Sequence, residues 1–315
     1  MLSEPLPASL ATSDIALERT VLQAWAYTSL GQHQKATQAL QQVELLSGNG
    51  QSNENHPSSL RNQALNAWGV LYLEQADLVR ADEIFRRNLE IARKQNDAYQ
   101  QASTLLNLNV VALRTEHLDE ALAWAEEAVR VAKTINARSI LEESQGNIAW
   151  AEYKLGNFEE ALEGFRTAEK EAKALGEVSD RMEWLNDIGL SLYRLGNLQE
   201  AETYYNNALQ LAESVPNVGR AIEADTALAE LLLQLGNIDS AAQHADKALA
   251  LARSTEKTSD ELDALFLKSL ISARQEKPDE AVQMLTSLEQ NTAIKPSLQW
   301  QVEGALANLY DEANN

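Results

Sequence analysis

Cysteine is absent from the chain, which excludes disulfides, thiol nucleophiles and thiolate metal ligands without fixing the compartment. Histidine occurs four times, as His33, His56, His117 and His244, and no two of these have the spacing of a metal pair. There is no glycine-rich phosphate loop, and carboxylate pairs such as Glu126-Glu127 and Glu159-Glu160 read as solvated helix faces. No enzymatic activity, cofactor or metal is expected. Long apolar runs are also missing, and the start, Met1-Leu2-Ser3-Glu4-Pro5, has no basic region followed by an apolar stretch. That points to a soluble, cytoplasmic chain. Positive charge is scarce: 26 Lys and Arg stand against 47 Asp and Glu, a formal net charge of -21. Nucleic acid and anionic membranes are poor partners for such a surface, because phosphate contacts need clustered cations.

What is present is a ruler. Ala36, Ala81, Ala121, Ala161, Ala201, Ala241 and Ala281 mark seven copies of one segment, the last six spaced by 40 residues. Twelve residues before the alanine stands a small residue in most copies: Ala24, Gly69, Ala149, Gly189 and Ala229. Five before it is a turn glycine in Gly31, Gly156, Gly196 and Gly236, usually within Leu-Gly-Asn. Four after it comes a large side chain, Leu40, Phe85, Phe165 or Tyr205, and seven after it a further alanine, Ala128, Ala168, Ala208 or Ala248. Small residues at a helix crossing let two backbones approach, large ones fill the groove beside it, and glycine ends the first helix. A fixed period of this kind predicts a solenoid of helix hairpins.

The pattern resembles the tetratricopeptide repeat over roughly residues 16 to 313. That family typically takes 34 residues per repeat, and six more add about 9 Å of helix rise per hairpin. The length is similar to the long-repeat subgroup of bacterial signalling regulators, of arrays joined to caspase-like (CHAT) peptidases and of animal polarity scaffolds. The resemblance implies an all-α, right-handed α-solenoid of antiparallel hairpins, seven of them plus one terminal helix. Residues 1-315 form one solenoid: a tail over 1-15, repeat 1 over 16-46, a mobile loop over 47-59, repeats 2-7 over 60-297 and a terminal helix over 298-315.

Two copies depart from the pattern. The seventh replaces the Gly-Asn turn by Glu276-Lys277-Pro278-Asp279 and has Lys268 where Ile or Leu is usual, which predicts looser packing or a hinge. The eighth has only its first helix, with Leu306, Ala307 and Tyr310 in register. A terminal cap and a cut from a longer protein both fit; the apolar Leu298, Trp300, Val302, Leu306 and Leu309 favour the cut.

Function in such an array belongs to the inner face, lined by the first helix of each hairpin. With the ruler alanine as position 20, the inward positions are 2, 5, 6, 9, 12 and 13. Asn66 and Asn186 fall at position 5, Asn107 and Asn147 at position 6. An amide offers both donor and acceptor, so a row of them can pair with an extended peptide backbone, as asparagines at these positions do in tetratricopeptide proteins; bonding to a neighbouring helix is the alternative. Val110, Trp150, Tyr153, Leu190 and Tyr193 fall at positions 9 and 12, where apolar stripes are more often interhelix core, although large aromatics there suit a partner anchor. Arg114, Lys154, Arg194 and Arg274 form a basic column at position 13, interrupted by Gln234 and suited to acidic groups of a ligand or to the carbonyls of a helix end. The Lys and Asn set of the chaperone-binding carboxylate clamp is not found. The expected function is a non-catalytic scaffold that holds a peptide or helix of a partner protein. The alternative is the sensor region of a larger protein, such as a caspase-like peptidase or signalling ATPase. A monomer is expected, or weak self-association through the terminal helix.

Overall fold

The computed structural model describes residues 14-46 and 58-313. The expected loop over 47-59 lies outside these residues except for its last two, which begin a helix, and most of the tail lies outside as well. Contacts group the chain into two compact units, Met1–Leu155 and Gly156–Asn315. Unit 1 holds α1 (Asp14–Ser29), α2 (His33–Leu46), α3 (Ser58–Glu74), α4 (Leu78–Gln95), α5 (Ala98–Arg114), α6 (Leu118–Ile135) and α7 (Arg138–Leu155). Unit 2 holds α8 (Phe158–Leu175), α9 (Val178–Arg194), α10 (Leu198–Ser214), α11 (Val218–Gln234), α12 (Ile238–Ser254), α13 (Thr258–Arg274), α14 (Pro278–Glu289) and α15 (Pro296–Ala313). The fold is all-α, with no strand among the described residues. Consecutive helices pack as hairpins: α1 with α2, α3 with α4, α5 with α6, α9 with α10, α11 with α12 and α13 with α14.

Every ruler alanine is the fourth residue of a second helix and is fully buried. Its neighbours explain why. Asn109 Nδ2 reaches the Ala121 carbonyl at 2.9 Å, so the residue twelve before the ruler lies beside it across the hairpin. A Cβ added at Gly69 would lie 2.4 Å from Phe85 Cε1, and one at Gly189 2.6 Å from Tyr205 Cδ1. Glycine stands where an aromatic ring occupies its place. Where the aromatic is replaced by Ala125 or Ala245, the facing residue is instead Asn109 or Ala229, and all four are buried. In α6 the stripe Ala121, Ala125, Ala128 and Ala132 is fully buried at helical spacing.

The turns close by backbone bonds. In unit 2 the Asn197 N–H donates to the Leu192 carbonyl at 2.9 Å and the Gly196 N–H to Tyr193 at 3.1 Å, around Gly196 at φ +80. This is the left-handed helix stop that glycine makes without steric cost. Ala76, Glu116 and Glu276 adopt the same region at φ 58, 60 and 61, each accepting the Cβ penalty. Asp77, Asp97 and Asn217 cap the next helices by accepting from Arg80, Gln100 and Arg220 N–H groups. The degenerate seventh hairpin keeps its core, with Leu285 and Leu288 buried, but its second helix is only 12 residues long. Lys268 turns outward to an ion pair with Asp246. In α15, Leu298, Val302 and Leu306 are buried against the seventh hairpin, while Trp300 is 75% exposed.

Within each unit the first helices pack side by side: α1, α3, α5 and α7 in one, α9, α11, α13 and α15 in the other. Second helices of successive hairpins stand further apart and meet through long side chains, as in Arg93 to Glu127 at 2.6 Å and Arg166 to Glu200 at 2.9 Å. Such exposed pairs contribute about 0-1 kcal/mol each. Closer first helices and more distant second helices put the first helices on the inner side of each unit.

Candidate functional site

In unit 1 the inner face carries eight of the expected residues. Asn66 on α3 and Asn107 on α5 meet: Asn107 Nδ2 donates to Asn66 Oδ1 at 2.8 Å. The amide row thus begins with a pair bonded across neighbouring repeats. Val110 is half-buried against the core around Phe85. Arg114 Nη1 donates to the Leu73 carbonyl at 2.9 Å, covering the end of α3. On α7, Trp150 and Tyr153 stack with ring centroids 5.2 Å apart and planes 8° from parallel. Lys154 places its ammonium 5.6 Å from the Trp150 ring, and Asn147 lies one turn before Trp150 on the same helix. Both rings remain partly exposed, as does Asn147.

In unit 2 the remaining four lie on α9. Arg194 is held over the Phe158 ring, 5.1 Å from its centroid. Tyr193 OH donates to Glu230 Oε1 on α11 at 3.4 Å, and Leu190 is half-buried. Asn186 is half-buried, and its Oδ1 is shut off from water with no hydrogen-bond partner.

Beside these residues stands a group that the reading of positions 5, 9, 12 and 13 passed over. Glu183, Glu223 and Asp263 occupy position 2 of three successive repeats, on α9, α11 and α13. Arg220 bridges the first two, bonding Glu183 with one guanidinium nitrogen and Glu223 with the other, the latter at 2.8 Å. Asp187, one turn after Glu183, is 8% exposed. Its carboxyl accepts no hydrogen bond among the described residues. Burial raises the Asp187 pKa well above the ordinary carboxylate range, with Glu183 adding to it and Arg220 opposing. Burial also raises Glu183 and Asp180, and in Asp263 it outweighs the pull of Lys295. Arg220 is raised too: desolvation disfavours its charge, but Glu183 and Glu223 outweigh that and hold it protonated. The signal was in the sequence, since 183, 223 and 263 repeat the 40-residue ruler.

A pH dependence follows. A carboxyl whose pKa is raised on folding keeps its proton to higher pH in the folded than in the unfolded chain. Stability therefore falls as pH rises from the ordinary carboxylate range through the folded value, and the deficit persists above it. Asp187→Asn should melt about 2 °C or more above the wild type at pH 7.5. The difference should close towards about pH 3, where both unfolded and folded carboxyls are largely protonated. Circular dichroism melts at the two pH values measure it; an equal difference at both would refute the assignment.

A second buried acid, Asp225, sits at position 4, where Leu65, Leu105, Leu185 and Leu265 stand in other repeats. It is 2% exposed and pairs with His244 Nδ1 at 2.7 Å, so His244 is the partner of a core carboxylate. Among the described residues no group of three or more His, Asp or Glu is placed to hold a metal ion, and no helix is long and apolar enough to cross a membrane.

Residues 180-254 match one tetratricopeptide repeat family model and residues 226-293 a second. No curated protein matches the chain in sequence. Among solved structures, the chain is similar to the apo form of the quorum sensor NprR from B. thuringiensis, at 15% identity over 96% of this chain and 83% of that one, with a TM-score of 0.73. It is similar to a Rap protein complexed with Competence and Sporulation Factor, at 15% identity, 98% and 89% coverage and a TM-score of 0.68. A third likeness is to a signal transduction ATPase of the STAND class with a tetratricopeptide repeat sensor, from Pyrococcus horikoshii. There the identity is 15%, the TM-score 0.70 and the coverage 94% of this chain but 44% of that one. At these identities the likeness is one of fold.

Proposed function

The chain carries tetratricopeptide repeats, and from that premise we infer that it is a non-catalytic cytoplasmic interaction module whose inner face holds an extended peptide or helix of a partner protein. The observation that carries this reading is the α7 patch. A stacked Trp150 and Tyr153, capped by the Lys154 ammonium, stay partly exposed on the inner side instead of entering the core. Aromatic rings of this size offer a partner large contact area and a polar tip. The partly exposed Asn147 beside them can bond a peptide backbone through both donor and acceptor. The NprR and Rap likenesses support the reading, since the Rap structure is of a complex with Competence and Sporulation Factor.

Panning a displayed random-peptide library over the full chain tests it. Enriched peptides should bind at least about tenfold more weakly to a Trp150→Ala/Tyr153→Ala variant or to a Leu190→Ala/Tyr193→Ala variant, with helicity unchanged. Equal affinity for wild type and both variants would exclude the inner face. A second reading, the sensor region of a larger protein, is favoured by the STAND ATPase, whose chain is more than twice the length matched here. The coding sequence after Asn315 decides it: a stop codon there would exclude that reading.

A further inference from the structure

The inner face of unit 2 carries a carboxyl, that of Asp187, which no protein group bonds among the described residues. Asp187 is 8% exposed, yet its oxygens are not sealed from the surface as the Asn186 Oδ1 is. Around them Asp180, Glu183, Asp187 and Glu223 share a single cation, Arg220, whose guanidinium is already committed to Glu183 and Glu223. A cation that brings several N–H donors suits such a group. Charge and hydrogen-bonding capacity ask for the same group. Leu190 and Tyr193, further along α9, supply an apolar stretch against which a long aliphatic stem can lie.

We propose that Asp187, with Glu183 beside it, is the subsite for an arginine or lysine side chain of the bound peptide. A guanidinium carries five N–H donors in a planar fork and meets a carboxylate through two of them, so arginine is preferred. The proposal rests on the peptide-binding reading above and adds the ligand's chemistry. It also gives the surplus of acidic residues a use, because a surface of formal charge -21 concentrates cationic peptides before they dock. The basic column does not compete for the same ligand: Arg114 and Arg194 are engaged on the Leu73 carbonyl and the Phe158 ring.

The test uses a displayed random heptapeptide library and the full chain. Peptides enriched on the wild type should share a basic residue at one position. A synthetic copy of the best peptide should lose about tenfold or more in affinity when that residue becomes glutamine. The same change should cost much less on Asp187→Asn, whose neutral amide removes the charge while keeping the shape, and on Glu183→Gln; circular dichroism confirms that both variants fold. Enriched peptides without a basic position, or an equal loss on wild type and both variants, would overturn the subsite while leaving the peptide groove intact. Failure of any peptide to enrich would remove the groove reading and the subsite together. Argininamide alone should bind far more weakly than the peptide in calorimetry; equal affinity would assign the site to a free cation and overturn the peptide assignment.

Discussion

Replacing Tyr205 by alanine should destabilise unit 2 by about 3-5 kcal/mol, because the ring is 2% exposed and its removal leaves a large void in the fifth hairpin. The informative variant is the second one. Gly189→Leu alone should also destabilise, since even its Cβ would fall 2.6 Å from Tyr205 Cδ1. Combined with Tyr205→Ala, the leucine enters the vacated space that the ring denies it in the single variant. The double variant should therefore be more stable than the two losses predict by about 1-3 kcal/mol. Other hairpins already use this exchange, with Asn109 facing Ala125 and Ala229 facing Ala245. Urea unfolding followed by ellipticity reads the coupling; strictly additive losses would mean that the two positions do not share one space.

Ala121→Leu should cost about 2-5 kcal/mol, the sum of overpacking and of stranding a buried amide. Ala121 is fully buried, and its carbonyl accepts a hydrogen bond from Asn109 Nδ2 at 2.9 Å. Three additional heavy atoms at this crossing push the two helices apart and separate that pair. Because each hairpin contacts only its neighbours, the damage should be local, appearing first as faster amide exchange in α5 and α6. Unchanged thermal stability would show that the ruler alanine is not at the crossing.

The ruler was legible because close packing at a helix crossing admits few alternatives. A position that must be small in every copy repeats at a fixed spacing, and Ala81 through Ala281 do so at 40 residues. Glycine in the turn was legible for a similar reason, as Gly196 and Gly236 sit at φ +80 and +77. Where the turn holds Glu116 or Glu276, the backbone takes the same conformation without the residue that signals it. Packing of the two helices, and not the turn residue, sets the stop there.

The inner face was only partly legible. Periodicity put Asn66, Asn107, Trp150 and Tyr193 on one side of the first helices, but it said nothing of their partners. That Asn107 bonds Asn66, or that Arg114 covers the Leu73 carbonyl, depends on side chains 41 residues apart meeting across neighbouring repeats. Asp187 falls at position 6, in register with Asn107 and Asn147, and nothing in its spacing distinguishes it from a solvated acid. Its character comes from burial beside Glu183 and from an arginine already committed elsewhere.

The sequence by itself determined the hairpin, its length and the side that faces inward, because local helix geometry and the size limits at a crossing act within one repeat. Only the tertiary structure decided which inner groups are satisfied and which are left waiting. Hydrogen-bond partnership and desolvation are set by the neighbouring repeat, and one repeat's sequence does not carry them.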